Sequence, residues 1–395
     1  MANTNLTNAK TAKNDEFYTQ YHDIEREMEA YLEYDANVFR NKTVLLPCDD
    51  PEWSNFTRYF AQNFERLGLK KLISTSYAVE SKKIKEWQPT LFEMESPYYD
   101  ADKSRTNGKI FVLDEDLNND GRFNINDLHW SYLIGDGDFR SDEVKALRDE
   151  ADIIVTNPPF SLFREFVSWL IEADKKYIII GSMNAVTYKE IFPLIKGNKM
   201  WLGNGFLNGN AYFQIVGEAN YADGVYDEST GLVKFRNCCW MTNLDHGRRH
   251  QPLQLMSMED NLKYSKHKEI KGKPCYDHYD NYNAIEVPFT DAIPSDYNGV
   301  MGVPISFLDK YCPEQFEILG LTTGRNEFDT IAWPSKRYIN PVQVNIDGST
   351  SNGSKANTRA TIVLDKEPND IYYTATNAKG PLQIVYARML IRKKQ

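Results

Sequence analysis

The chain has 395 residues, 41% of them hydrophobic and 26% charged, with a net charge of −10 at pH 7. At about 150 residues per domain this length makes two or three domains, or one large enzyme core with additions, and the ordinary composition excludes wholesale disorder, collagen and coiled-coil arrays. Because 56 Asp and Glu outnumber 46 Lys and Arg, bulk charge does not attract nucleic acid or anionic membrane, and any nucleic-acid site must be a local patch.

The five cysteines, Cys48, Cys238, Cys239, Cys275 and Cys312, form no CxxC pair. That pattern fits a reducing compartment, points to the cytoplasm and argues against a Cys-based zinc site. Residues 1–13 are polar without an apolar core and read as a flexible tail. No run reaches the roughly 18 apolar residues of a membrane span, so neither secretion nor a membrane partner is expected.

After the tail, Asp15 to Tyr34 has helical spacing, with Ile24, Met28 and Tyr31 on one face. Val44-Leu45-Leu46 reads as a short strand, Cys48 to Ser54 as a loop, and Asn55 to Leu67 as a helix stopped by Gly68, followed by a strand at Lys71 to Ser74. This βαβ unit is the building block of a doubly wound sheet. Residues 79–135 interrupt the pattern as an insertion with a small hairpin or loop around Gly108 to Leu113. The alternation resumes with a strand at Ala151 to Thr156, a helix at Ser161 to Ala173 and a strand at Tyr177 to Ile180. Apolar runs at Met200 to Leu202, Ala211 to Val216 and Cys238 to Thr242 are candidates to complete the sheet, so the catalytic-type domain spans 14–245. The rest, 246–395, lacks α/β alternation. Its last 65 residues hold ten Lys or Arg against four acids, leaving −16 on the other 330. Lys263 to Lys273 adds five lysines against Glu269, and Asp347 to Thr358 reads as a flexible polar loop.

The most informative residues are Asn157-Pro158-Pro159-Phe160, between a strand and a helix. Open α/β sheets place active sites beyond the carboxyl ends of their strands. A match to Asp/Asn/Ser-Pro-Pro-aromatic arises by chance in roughly one or two chains in a hundred of this length, and its plain alternative is a rigid strand-to-helix turn. The chemistry that suits such a turn is methylation of a planar amino nitrogen. An exocyclic amine is a weak nucleophile because its lone pair is delocalised into the ring. The amide oxygen of Asn157 and the carbonyl of Pro158 can accept one N–H each and aim the lone pair, while Pro159 stiffens the turn. Phe160 offers a face for base stacking, and a base in a duplex must flip out to reach it.

Asn157 to Phe160, Asp15 to Tyr21, Cys48 to Pro51, Gly135 to Ser141, Asn281 to Ile285 and Asp296 to Pro304 together, in this order, resemble the EcoRI-type DNA adenine-N6 methyltransferases. The resemblance covers about residues 15–316. It implies an α/β fold, a doubly wound and mostly parallel class I methyltransferase sheet with an insertion and a C-terminal DNA-recognition region at 246–395. It also implies S-adenosylmethionine as cofactor, with Asp15, Phe17, Tyr18 and Thr19 against it, Cys48, Asp49 and Asp50 near its methionine and ribose, and Asp138 and Phe139 at its adenine. Double-stranded DNA is the implied substrate, and a cognate restriction endonuclease sharing the site an implied partner. The namesake modifies GAATTC, which makes that hexamer the first to test. Two departures from many class I enzymes stand out: Pro47 to Glu52 replaces a glycine-rich loop, and Ser74-Thr75-Ser76 replaces an acidic residue after the second strand. Each assigned residue also has a plain reading, Asp15 as a helix cap, Asp49 and Asp50 as a turn, Phe139 as core.

A separate pattern lies in the insertion. Asp116, Asn118, Asp120 and Asn124 occupy loop positions 1, 3, 5 and 9, Gly121 position 6 and Asp127 position 12, with the Arg122 carbonyl at position 7. This is calcium-loop spacing, a candidate site for a structural ion, although a polar turn in an insertion has the same appearance. The six histidines show no metal spacing. Rival functions are methylation of cytosine N4, RNA or protein glutamine, a calcium-loop interaction protein, and a DNA-binding module without activity.

Overall fold

A computed structural model describes residues 17–48, 50, 52, 54–78, 91–94, 96–117, 121, 123, 127–215, 224–323 and 334–394. The chain forms two compact units, Met1–Ala185 with Met200–Gly247, and Val186–Lys199 with Arg248–Gln395. In chain order the first unit contains β1 (Tyr18–Thr19), α1 (Tyr21–Tyr34), β2 (Thr43–Leu46), α2 (Asn55–Gln62), β3 (Lys71–Thr75), β4 (Lys109–Leu113), β5 (His129–Tyr132), α3 (Asp142–Glu150), β6 (Ile153–Thr156), α4 (Phe163–Glu172), β7 (Lys176–Ser182), β8 (Trp201–Leu202), β9 (Asn210–Gln214), β10 (Tyr226–Asp227), β11 (Leu232–Arg236) and β12 (Cys238–Thr242).

Strands β2 and β6 are buried at every residue, and β3 and β7 nearly so. Unbroken apolar runs of this kind suit strands covered on both faces. These four form the parallel centre of an eight-stranded sheet ordered β5-β4-β3-β2-β6-β7-β12-β8, whose other strands run antiparallel to their neighbours. The helix between β2 and β3 starts at Ser54, whose hydroxyl accepts the Phe56 amide at 3.1 Å, and buries Phe56, Tyr59 and Phe60. The segment ends at Gly68, in the left-handed region at φ 62°. From β2 the chain crosses to β3 on one side, and from β6 to β7 on the other, so the strand order reverses between β2 and β6. Loops leaving the carboxyl ends of such a pair diverge and open a crevice.

A second, antiparallel sheet is ordered β1-β9-β11-β10. Its alternation is period two: Ala211, Phe213 and Val233 are fully buried, whereas Tyr212, Gln214 and Arg236 are exposed. Asn237, at φ 67°, is the only residue between β11 and β12, and passes the chain from the small sheet into the large one while its carbonyl accepts the Met183 amide at 2.7 Å.

The second unit contains α5 (Met258–Tyr264), β13 (Ile285–Glu286), β14 (Met301–Pro304), β15 (Phe316–Leu321), β16 (Val342–Val344), β17 (Thr350–Asn352), β18 (Thr361–Val363), β19 (Tyr372–Thr374), β20 (Leu382–Ile384) and β21 (Arg388–Lys393). They make a four-stranded sheet, β13-β14-β21-β15, and a five-stranded antiparallel one, β17-β16-β19-β20-β18. Asn281 is fully buried. Its amide nitrogen donates to the Arg359 carbonyl at 2.7 Å and its oxygen accepts the Thr361 amide at 2.9 Å. Arg388 grips Glu286 at 2.7 and 3.0 Å, and the Tyr279 hydroxyl donates to the same carboxylate.

Several expectations from the sequence change. Lys109–Leu113 is not a detached hairpin: it pairs with β3 in the large sheet and carries β5 beside it. Asn210–Gln214 does not complete that sheet but pairs with β1 and β11, because alternating burial suits a strand with one wet face. The Asp347 to Thr358 segment is ordered as a tight turn, strand β17 and a 3-10 turn at Ser354–Asn357. The helix expected from Asp15 starts at Tyr21. The expected tail, Asp15 and Asp49 lie outside the described residues. Among the described residues no helix is long and apolar enough to cross a membrane.

Candidate active site

Asn157 to Phe160 leave the end of β6 at the strand-order reversal, and Pro47 and Cys48 leave the end of β2 beside it. Pro159 has φ −54° and ψ 120°, and its carbonyl accepts the Leu162 amide at 3.0 Å, closing a 3-10 turn over Phe160–Leu162 that runs into α4. The two fixed proline φ angles keep this corner from continuing as strand or helix.

Asn157 is oriented from 140 residues away. Its amide nitrogen donates to the Phe17 carbonyl at 2.6 Å. A carbonyl can only accept, so this bond fixes which end of the amide is nitrogen. The other end, the Asn157 Oδ1, is buried and has no hydrogen-bond partner among the described residues. A buried acceptor left unpaired costs about 1–3 kcal/mol. The corner therefore holds a preset, desolvated acceptor, which suits an N–H donor from a ligand.

Phe160 is half-buried and stacks on Phe17, with ring centroids 5.9 Å apart at 28°, while Phe235 meets it edge-on at 6.1 Å. Phe17 and Phe235 are in turn 4.8 Å apart and T-shaped, and Phe213 completes the cluster. One side of the Phe160 ring is thus backed by protein.

The other expected residues divide. Thr19 is buried, its carbonyl accepts the Asn55 side-chain Nδ2 at 2.8 Å, and its hydroxyl has no partner among the described residues. Tyr18 is nearly buried beside it in β1. Cys48 and Asp50 are half-buried after β2. The Asp50 carbonyl caps the loop by accepting the Ser54 amide at 2.7 Å, and its carboxylate accepts the Glu52 amide at 3.2 Å. Asp138 and Phe139 lie at the end of β3 instead, where Gly137 (φ 83°) and Gly108 press on the Ser76 carbonyl. A Cβ at Gly137 would stand 2.1 Å from that oxygen. Both Asp138 carboxylate oxygens bind Arg140, at 2.6 to 2.9 Å. Burial opposes ionisation of Asp138, but these bonds outweigh it and hold the carboxyl below its ordinary value. Phe139 is buried against Phe166 and Trp169, at 5.1 and 5.7 Å. Its ring is part of the core around α4.

The calcium-like loop gains no support. The Asp116 Oδ2 accepts the Gly121 amide at 2.8 Å, and the fully buried Asp127 accepts the Leu117 amide at 3.2 Å. Among the described residues no group of three or more His, Cys, Asp or Glu is placed to hold a metal. Asn118, Asp120, Arg122 and Asn124 lie outside those residues.

Sequence reading missed three participants. Phe213 and Phe235 form the cluster behind Phe160, and only the alternation of Leu232 to Arg236 hinted at an inward ring. Lys109, nearly buried, bridges Glu52 after β2 and the fully buried Glu93, each at 2.7 Å. No local signal marks that network.

The profile of the family described as "Adenine-specific methyltransferase EcoRI" matches residues 5–394. The chain belongs to that family. It is 44% identical over 327 residues to the type II methyltransferase M.EcoRI of Escherichia coli, covering 82% of this chain and 91% of that protein. The type II methyltransferases M.MpnI of Mycoplasma pneumoniae and M.MgeORF184P of Mycoplasma genitalium are each 34% identical, covering 79% of this chain and 83% and 84% of their own lengths. No solved structure matches. The protein is an adenine-specific DNA methyltransferase of the EcoRI family, which decides adenine over cytosine N4, and DNA over RNA or protein glutamine.

Proposed function

We propose that this methyltransferase binds S-adenosylmethionine at the reversal between β2 and β6 and methylates N6 of an adenine flipped out of duplex DNA. The observation that carries this reading is the buried, partnerless Asn157 Oδ1, held in place by the Phe17 carbonyl. In the reaction the Asn157 oxygen and the Pro158 carbonyl each accept one hydrogen of the amine, the nitrogen moves toward tetrahedral geometry, and its lone pair is freed for attack. Pro159 keeps that carbonyl from turning away, and Phe160, backed by Phe17, stacks on the base. The cofactor supplies an electrophilic methyl group when bound.

The residues present fit such a cofactor. The unpartnered, buried Thr19 hydroxyl offers a polar contact in β1, and Phe17, Tyr18, Cys48 and Asp50 complete the described part of its binding set, with Asp15 and Asp49 assigned by family likeness. Asp138, locked to Arg140, and Phe139, packed in the core, shape the wall at the end of β3 rather than presenting free side chains. The parallel β3-β2-β6-β7 centre supports a doubly wound, class I arrangement, and residues 246–395, basic toward their end, are assigned to target recognition. A cytoplasmic modification enzyme paired with a cognate endonuclease completes the reading.

Modification-sensitive sequencing of DNA from cells expressing the chain tests it, alongside Asn157→Ala. The expected result is N6-methyladenine at one short motif, lost in the variant, with S-adenosylmethionine binding by calorimetry retained. Methyl transfer by the variant at the wild-type rate would overturn the assigned role.

A further inference from the structure

The small sheet has one face turned to the aromatic cluster and one face turned away, and the second face is chemically distinctive. Pairing of Tyr212 with Lys234, and of Asn210 with Arg236, sets these side chains on the same side of β9 and β11. The Lys234 ammonium sits 5.6 Å from the centre of the Tyr212 ring, and Tyr212 and Arg236 are exposed. Neither Lys234 nor Arg236 has a carboxylate partner among the described residues. Several other cations in this unit are tied to carboxylates: Lys71 to Glu150, Lys109 to Glu93, Arg140 to Asp138, Arg66 to Glu29. Among the described residues the one acid aligned on this face, Asp227, pairs with Leu232 at the far edge, and its carboxylate accepts the Ser229 hydroxyl and amide at 2.6 and 2.9 Å. In a chain of net charge −10, two unneutralised cations side by side make a local patch that complements an anionic ligand.

The strand joins this patch to the reaction site. Phe235, between the two cations, points the other way and touches both Phe17 and Phe160. Residues two apart on a strand are about 6.8 Å apart, which spans two phosphate repeats of one DNA strand at about 3.4 Å of axis each.

We propose that Lys234 and Arg236, with Tyr212 bracing the ammonium, hold two nearby phosphates of the DNA strand that carries the target adenine, so that β11 fixes the backbone with one face and backs the base-stacking ring with the other. This rests on the DNA-methylation reading above. Because phosphates carry no sequence information, the contact positions the target without selecting it.

The test is fluorescence anisotropy of the full chain with two labelled duplexes, one containing GAATTC and one lacking it, at a series of salt concentrations. For Lys234→Ala with Arg236→Ala, the slope of log affinity against log salt should fall by about two. Affinity should weaken roughly ten- to a hundredfold on both duplexes alike. S-adenosylmethionine binding and near-ultraviolet circular dichroism should match wild type, and Lys234→Arg with Arg236→Lys should restore the slope. An unchanged slope, a loss confined to one duplex, or failure of the charge-conserving swap to rescue overturns the phosphate assignment, provided wild type methylates adenine. A wild-type chain that neither binds nor methylates duplex DNA overturns the function reading and this surface with it.

Discussion

The Asn157 side chain makes a prediction with a sign as well as a size. Asn157→Ala removes both the bond to Phe17 and the acceptor beyond it. The first loss costs stability about 1 kcal/mol, and the second should slow methyl transfer about a hundred- to a thousandfold, as loss of a preset polar group at a reacting centre does. Asn157→Asp behaves differently. It keeps an acceptor but sets a carboxylate oxygen against the Phe17 carbonyl, where the native nitrogen donates at 2.6 Å. An unmade bond plus two opposed acceptors costs about 2–3 kcal/mol, or about 30- to 150-fold in rate at 1.36 kcal/mol per tenfold. Protonation relieves the clash, because the neutral acid donates to Phe17 and still presents an oxygen on its other side. The same energy raises that carboxyl above its ordinary value. Single-turnover methyl transfer, measured from pH 5.5 to 8.5 and divided by the wild-type rate, should therefore recover for Asn157→Asp as pH falls, while Asn157→Ala stays flat. A deficit in Asn157→Asp that ignores pH, or near-normal transfer by Asn157→Ala, would refute the geometry.

Three further outcomes follow from particular contacts. Burial pushes the Glu27 carboxyl up to about 7, although Tyr31 and the Asn204 and Gly205 amides all donate to it at 2.7 to 3.0 Å. The folded state then binds that proton more tightly than the unfolded chain, so stability is greatest below the ordinary value of 4.5 and falls as pH rises to about 7. The drop is about 3 kcal/mol, and urea melts of Glu27→Gln should lack it. Gly137→Ala forces a Cβ to within 2.1 Å of the Ser76 carbonyl at a φ of 83°, and should lower stability by about 2–4 kcal/mol, read as a fall in Tm. Phe160→Ala removes the stacking face, worth about 1–3 kcal/mol per base, and with 2-aminopurine at the target the flipping signal should fall while S-adenosylmethionine binding persists.

Much of the site was legible because its signals are local. Asn157 to Phe160 announce themselves through two adjacent prolines between an apolar strand and an amphipathic helix, and neither feature needs a distant partner to be read. The parallel strands were legible for the same reason, being short runs buried on both faces. What escaped was long-range. Lys109–Leu113 looked like part of an insertion because its partner strand lies more than thirty residues earlier. The packing of Phe139 against Phe166 and Trp169 is of the same kind, joining residues far apart in the chain.

By itself, then, the order of residues determined the chemistry on offer: an amide, a fixed carbonyl and an aromatic ring in four successive positions, which covalent geometry and proline stiffness hold together in any fold that ends a strand there. Only the tertiary structure decided which way the amide faces. That choice belongs to the Phe17 carbonyl, delivered by a two-residue strand whose place is set by pairing with β9. A hydrogen bond across 140 residues has no sequence signature, because any backbone carbonyl can accept it and only the packed chain brings this one within 2.6 Å.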